Sequence, residues 1–403
     1  MTEHDQTARA RYLAETAQLL WPPPAVVNTG PRNGNRVVSE FLVLPSLADA
    51  RLLLPLRARR AAAAVALRYA EPRSLGRKAR AHAMSLATST GVAQALFRSR
   101  LRIELPLDEP SAELDTVETL LCDVLGEQAL VGLHLTRPRA NRKPVVQALT
   151  THGQLRAVAK IGTGDLTRSL VAAEERNLRM LGRQRTTTFA VPRVLDFRSW
   201  RGLLVLTVTA LPVDAPRAPA APARLAGVAS EIAATATTAE TVARESRYVA
   251  ALRVRIGRLR QPAAQQLRQA LDAALDAAGD GTLRFGAWHG DFTRANLAVL
   301  HDKVLVWDWE RYGAGVPVGY DLAHYYVQHD ILARHDDVSA YLTGLIDRSP
   351  NLLAPMALDR DEATLVIKLY LVEIATRYVA DRQDEMGELH DVLPELLEFL
   401  AGL

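Results

Sequence analysis

The stretch from 288 to 310 holds the side chains with the greatest chemical reach. It opens Trp288-His289-Gly290-Asp291-Phe292-Thr293-Arg294-Ala295-Asn296 and closes Trp307-Asp308-Trp309-Glu310. Residues 297–300 and 304–307 are apolar, and His301-Asp302-Lys303 between them suits a turn, so the pattern predicts a hairpin. Both arms have about four residues at roughly 3.3 Å each, so the second returns the chain to where the first left it. Asp308 is thereby brought near Asn296, with Asp291 on the loop leading in. Two carboxylates and an amide oxygen would converge beside buried strands. Oxygen donors of this kind suit a hard divalent ion, most simply Mg2+, which keeps waters and takes substrate phosphates as its remaining ligands. An acid beside such an ion but not bound to it can accept a proton from a hydroxyl, and Asp291 is the candidate. Metal, phosphate and base together describe phosphoryl transfer.

These groups need elements to hold them. Upstream, residues 130–136, 145–150 and 155–161 read as a three-strand antiparallel meander, with Thr151-His152-Gly153-Gln154 as one of its turns. A helix follows, marked by Glu174, Asn177, Leu178 and Leu181 at helical spacing, and then strands at 191–195 and 202–208. Together these make a small sheet lobe over 126–212. Pro216, Pro219 and Pro222 among alanines mark a linker or irregular entry segment. From 223 to 279 and from 321 onward the chain reads as helix, so 213–403 forms a mainly helical lobe. Residues 1–125 read as a separate α/β subdomain, with strands at 41–45, 52–56 and 101–105 and helices at 59–69 and 77–97. It shows no recognisable chemistry, and a capping or packing role is expected of it. The helix at 117–125 ends at Gly126.

His289-Gly290-Asp291, with Asn296 five residues after the aspartate and Asp308-Trp309-Glu310 one hairpin later, resembles the aminoglycoside phosphotransferase and choline-kinase-like families. The resemblance implies an α+β bilobal protein-kinase-like fold, with an antiparallel-sheet N-lobe, a mainly helical C-lobe and here the extra N-terminal subdomain. It implies that Asp291 positions or deprotonates the acceptor hydroxyl and that Asn296 and Asp308 hold magnesium. His289 matches a structural loop histidine. Asp321, in Gly319-Tyr320-Asp321-Leu322-Ala323-His324-Tyr325, matches an aspartate that braces the catalytic loop. The resemblance also expects a strand lysine on the nucleotide phosphates and a helix glutamate that orients it. Lys160, in Ala157-Val158-Ala159-Lys160-Ile161, and Glu174 match these, with Glu175 as the neighbouring alternative. Lys160 is one of only five lysines among 49 basic residues, which makes its position informative. The loop that covers the nucleotide corresponds to residues 137–144, which contain no glycine; Arg139, Arg142 or Lys143 would touch phosphate by side chain instead. Thr293 stands where protein serine/threonine kinases usually carry lysine, which favours a small-molecule acceptor.

The implied activity is transfer of the γ-phosphoryl group of ATP, or of GTP, with Mg2+, to a hydroxyl of a small polar molecule. An aminoglycoside, another antibiotic, a sugar and an amino alcohol all stay open as acceptor. A kinase-like module that binds nucleotide without turnover, using 1–125 as an interaction surface, is the alternative reading, with a protein kinase third. Other classes lack their motif: there is no G-x-S-x-G, no H-E-x-x-H and no G-x-x-x-x-G-K-[ST]. A net charge of +4 argues against wholesale nucleic-acid binding. The apolar run from 61 to 67 falls far short of the roughly 20 residues a bilayer span needs, so no membrane partner is expected. The single cysteine, Cys122, excludes an internal disulfide and a cysteine-based zinc site, and points to a reducing cytoplasm. Residues 351–403 hold 11 acids against four Lys/Arg, a solvated acidic face or part of a pocket for a cationic substrate.

Overall fold

A computed structural model of the chain describes residues 3–69, 75–108, 114–135, 141–213, 215–331, 337–382 and 392–402. Arg139 and the first half of the basic turn at 137–144 lie outside the described residues, as do the acids between 383 and 391. The chain forms two units: 1–138, 142–171 and 194–210 make the first, and 139–141, 172–193 and 211–403 the second.

In the first unit α1 (Glu3–Leu20) precedes β1 (Val26–Asn28), β2 (Arg36–Leu44) and β3 (Leu52–Pro55). Then come α2 (Arg59–Tyr69), α3 (Leu75–Thr90), α4 (Val92–Leu96), β4 (Arg100–Leu105) and α5 (Val117–Leu125). Thr116 and Thr119 cap α5 reciprocally, and Gly126 at φ 66° ends it in the left-handed conformation that a Cβ would oppose. The expected meander follows as β5 (Leu130–His134), β6 (Val145–Leu149) and β7 (Leu155–Gly162). Helix α6 (Asp165–Leu181) runs on into the second unit, which holds β8 (Phe189–Ala190). Strands β9 (Val194–Trp200) and β10 (Leu203–Thr209) complete the first. The strand expected at 191–195 begins only at Val194, as β9, beyond Pro192, which has no N–H for a ladder.

The boundary expected at 125 does not divide the sheet. All nine strands join in the order β1-β4-β2-β3-β5-β6-β7-β10-β9, every pair antiparallel. The junction is β3 with β5, where Leu52 faces His134 and Leu53 faces Leu133. Residues 1–125 therefore extend the sheet that carries Lys160. The physical reason is edge pairing: β3 and β5 would each expose a row of unpaired N–H and C=O groups without the other. Period-two alternation sorts the side chains. Phe41 and Val43 join one core with Leu13, Ala17 and Leu20 of α1 and Val117, Leu120 and Leu121 of α5. Leu42 and Leu44 join another with Ala61, Ala62, Val65 and Ala66 of α2. Gly132 on β5 lets α2 approach, because a Cβ there would lie 2.4 Å from Val65 Cγ2.

The second unit is mainly helical, as expected. It comprises α7 (Pro222–Ala233), β11 (Ala239–Val242), α8 (Arg247–Gly257), α9 (Ala263–Ala278), β12 (Thr282–Trp288), β13 (Leu297–Val299), β14 (Val304–Val306) and β15 (Gly313–Pro317). Helices α10 (Tyr320–Ile331), α11 (Val338–Leu353), α12 (Arg360–Ala380) and α13 (Val392–Ala401) follow. Strand β11 interrupts the helix expected throughout 223–279, pairing with β12, which in turn pairs with β15. Helix α12 is buried on nearly every side, Leu365, Val366, Ile367, Leu369, Tyr370 and Leu371 included, so it forms the centre of the helical packing. Among the described residues no helix is long and apolar enough to cross a membrane.

Candidate active site

The predicted hairpin forms. Leu297 pairs with Val306 and Val299 with Val304, and β8 joins β14 in parallel through Phe189 and Ala190. The two ends of the hairpin meet where Trp307 N donates to the Asn296 carbonyl at 3.2 Å. This brings Asn296 and Asp308 to the same end of one small sheet. Asp308 stands at φ 72° and ψ 52°, opening a short 3-10 turn over Trp309–Arg311. A non-glycine residue held in the left-handed region costs of order 1–3 kcal/mol, and such strain gathers at functional positions.

The loop between β12 and β13 is held from beneath. His289 N donates to Asp321 Oδ2 at 2.8 Å and Gly290 N to Asp321 Oδ1 at 3.3 Å, so the start of α10 braces the loop backbone. Gly290, at φ 82°, is required there: a Cβ would lie 2.2 Å from the Arg311 carbonyl. The His289 ring is wholly buried between two partners, Trp307 O at 3.0 Å from Nε2 and Asp291 N at 3.1 Å from Nδ1. A carbonyl only accepts and an amide only donates, so the proton sits on Nε2 and the ring is a neutral bridge. Burial pushes His289 down to about 4, outweighing the nearby Asp291 and Asp308 carboxylates.

Because His289 resists protonation when folded and takes a proton near 6.5 when unfolded, its contribution to stability is complete above pH 6.5. It is lost as pH falls from 6.5 through about 4, at up to about 1.4 kcal/mol per pH unit. His289→Gln, which retains a donor toward Trp307 O but does not titrate, should lose less stability than the wild type over that range. Denaturant unfolding at a series of pH values checks this, and equal losses in both proteins would contradict it.

Asp291 presents its carboxylate at this loop with 38% of the side chain open to solvent. Asn296 Nδ2 donates to Asp291 Oδ2 at 2.8 Å and to its carbonyl at 2.9 Å. His324 Nε2 lies 3.0 Å from Oδ1. Burial pushes the Asp291 carboxyl up, but the His324 hydrogen bond, with the Arg377 charge behind it, outweighs this and holds the group below the usual carboxylate range. Arg377 also donates to the Gly290 carbonyl and lies over the Trp288 ring, 5.7 Å from its centroid. Burial pushes Asp321 the other way, up to about 7, against its two backbone donors.

A second cluster adjoins Asp308. Carboxylate oxygens of Glu174, Asp308 and Glu310 lie within 4.8 Å of one another. Glu174 is buried on α6, and the same helix reaches this segment where Asn177 Nδ2 donates to Trp309 O at 2.8 Å. The donor chemistry fits magnesium. The three acids offer hard oxygen donors, and Asn296 spends its nitrogen on Asp291, so its amide oxygen is the atom it could offer a cation.

Of the residues whose spacing predicts a common site, His289, Asp291, Asn296 and Asp321 are assembled by the second unit into one hydrogen-bonded loop, with Asp308 at the same end of the hairpin as Asn296. Glu174, expected as a lysine partner, stands beside Asp308. Lys160, Arg142 and Lys143 belong to the first unit. Lys160 is buried on β7, flanked by Val145 and Leu206. The Arg142 guanidinium lies over the ring of Tyr12 on α1, so a phosphate contact from it would require breaking that stack. Three further groups stand behind Asp291 that the motif does not mark as functional. His324 lies three residues after Asp321 on the same helix face, a spacing that signals it; Arg377 and Tyr370 arrive from α12, with no local signal.

A model of the phosphotransferase enzyme family matches residues 134–358. No curated protein sequence matches the chain. Several solved structures are similar to it at low identity. A thermostable mutant of the aminoglycoside phosphotransferase APH(4)-Ia, in a ternary complex with ADP and hygromycin B, is 13% identical, with 72% of this chain and 98% of that one covered and a TM-score of 0.45. The amicoumacin kinase hAmiN, in complex with AMP-PNP, Ca2+ and Ami, is 11% identical, with 68% and 88% covered and a TM-score of 0.42. A putative fructosamine-3-kinase from Haemophilus somnus 129PT is 12% identical, with 70% and 96% covered and a TM-score of 0.42.

Proposed function

The chain belongs to the phosphotransferase enzyme family, with its α+β protein-kinase-like fold, and we propose that it moves the γ-phosphoryl group of ATP or GTP to a hydroxyl of a small polar molecule. The observation that carries this reading is the Asp291 carboxylate. It is partly open, held on both oxygens by Asn296 and His324, and set on the loop that leads into the hairpin ending at a strained Asp308.

Asp291 accepts a hydrogen bond from the acceptor hydroxyl and aligns its oxygen for attack on phosphorus. A carboxylate held below its usual range is a weak base in the ground state. That suits a loose phosphoryl-transfer transition state, in which the hydroxyl becomes acidic late, and Asp291 then takes its proton. Asn296 and Asp308 would hold Mg2+, with Glu174 and Glu310 beside Asp308. When bound, the ion neutralises charge on the phosphate oxygens. Lys160 and Lys143 would take nucleotide phosphates. His289 and Asp321 fix the loop that carries Asp291.

The test is transfer from γ-labelled ATP and GTP with Mg2+ against pooled aminoglycosides, other antibiotics, nucleosides, hexoses, disaccharides and amino alcohols. A labelled product that requires the chain is expected. Nucleotide binding with no product from any pool would favour a module that binds without turnover.

A further inference from the structure

Helix α10 meets the loop twice. Asp321 takes up the backbone of His289 and Gly290, and His324, one turn later on the same face, reaches the Asp291 side chain. His324 is wholly buried, as is Tyr370 on α12. The His324 Nε2 lies 3.0 Å from Asp291 Oδ1, the oxygen that Asn296 leaves open. Its Nδ1 lies 2.8 Å from the Tyr370 hydroxyl. An ionised carboxylate only accepts, so Nε2 must carry the proton. In a neutral ring Nδ1 is then an acceptor, and the Tyr370 hydroxyl supplies its donor. The other charged group facing this ring is Arg377, whose charge opposes a second proton.

We infer that His324, fixed in its Nε2–H tautomer by Tyr370, is a positioning residue that holds the Asp291 carboxylate in one rotation for the acceptor hydroxyl. This inference rests on the phosphotransfer reading. Asn296 grips Oδ2 and His324 grips Oδ1, so neither oxygen is free to swing, and the 38% of the side chain left open to solvent is where a hydroxyl can approach. The same tautomer rules out an inward relay. Nε2 already carries a hydrogen, so the proton taken from the acceptor remains on Asp291 until it returns to solvent. The histidine acts as a fixed donor behind the base, and misplacing a reacting group by about 1 Å can cost about 10²-fold in rate.

The test compares His324→Gln with His324→Asn. The glutamine amide nitrogen reaches the place of Nε2, whereas the asparagine amide stops one bond short. His324→Asn should lower kcat by roughly 10- to 100-fold with the nucleotide KM unchanged, and His324→Gln should recover most of that loss. Tyr370→Phe, which frees the tautomer, should fall between them. In an Asp291→Asn background, His324→Asn should add little, since the two act as one unit. Nitrogen-15 spectra of the histidines in the wild type should show a neutral ring protonated at Nε2 whose signal moves in Asp291→Asn. Unchanged kcat in His324→Asn, a glutamine no better than asparagine, or a proton on Nδ1 would overturn the inference while leaving phosphotransfer standing. A wild type that transfers no phosphoryl group overturns the phosphotransfer reading, and the inference falls with it.

Discussion

Asp291→Asn should lower kcat by roughly 10²–10⁴-fold with little change in nucleotide affinity, the size expected for removing a general base. The substitution keeps shape but removes the charge and the proton acceptor. It also sets an amide NH2 against either His324 Nε2–H or Asn296 Nδ2, both of which donate to the wild-type carboxylate. No rotation of the new side chain satisfies both, so the loss combines chemistry with misorientation. Lys160 and Asp308 are untouched, and nucleotide binding should persist. Steady-state kinetics with a parallel nucleotide titration checks this. Turnover near that of the wild type would remove Asp291 from its assigned role.

Asp308→Ala should abolish Mg2+-dependent turnover. Asp308 contributes an oxygen to the carboxylate cluster, and without it Glu174 and Glu310 face each other with a ligand missing. Alanine also fits the left-handed backbone at φ 72° poorly, so a fall in activity could reflect a reshaped turn. Asp308→Asn separates the two effects, because asparagine adopts this conformation readily while supplying no negative charge. Both variants should lose turnover, and the asparagine variant should unfold close to the wild-type temperature. Turnover that keeps its full magnesium dependence in either would count against Asp308 as a metal ligand.

Much of the second unit's site was legible because its parts are close in sequence. Asp291, Asn296 and Asp308 lie on one loop and one hairpin, so strand length and turn placement suffice to bring them together. The meander with Lys160 was legible for the same reason. What escaped prediction depends on distant pairing. The junction of β3 with β5 merges residues 1–125 into the sheet, and no local pattern distinguishes a strand that pairs with its own hairpin from one that pairs across 80 residues. Helix α1 was missed because its apolar positions are sparse: Leu13, Ala17 and Leu20 are enough to pack it, but they do not stand out among Glu, Arg, Gln and Thr. Arg377 reaches the loop from α12 and Tyr370 reaches His324, and the apolar surroundings of that helix read only as core.

The central claim is that the phosphoryl group passes to a hydroxyl of another molecule rather than to water. Running the reaction with ATP and in parallel with GTP, with Mg2+ and the pooled acceptors in 18O-labelled water, followed by 31P NMR, addresses it directly. The expected result is a phosphomonoester resonance that rises in step with the nucleoside diphosphate and carries no solvent oxygen, and that fails to appear with Asp291→Asn. Inorganic phosphate containing 18O as the sole product, or ATP and GTP that both remain unchanged with every acceptor, would contradict it.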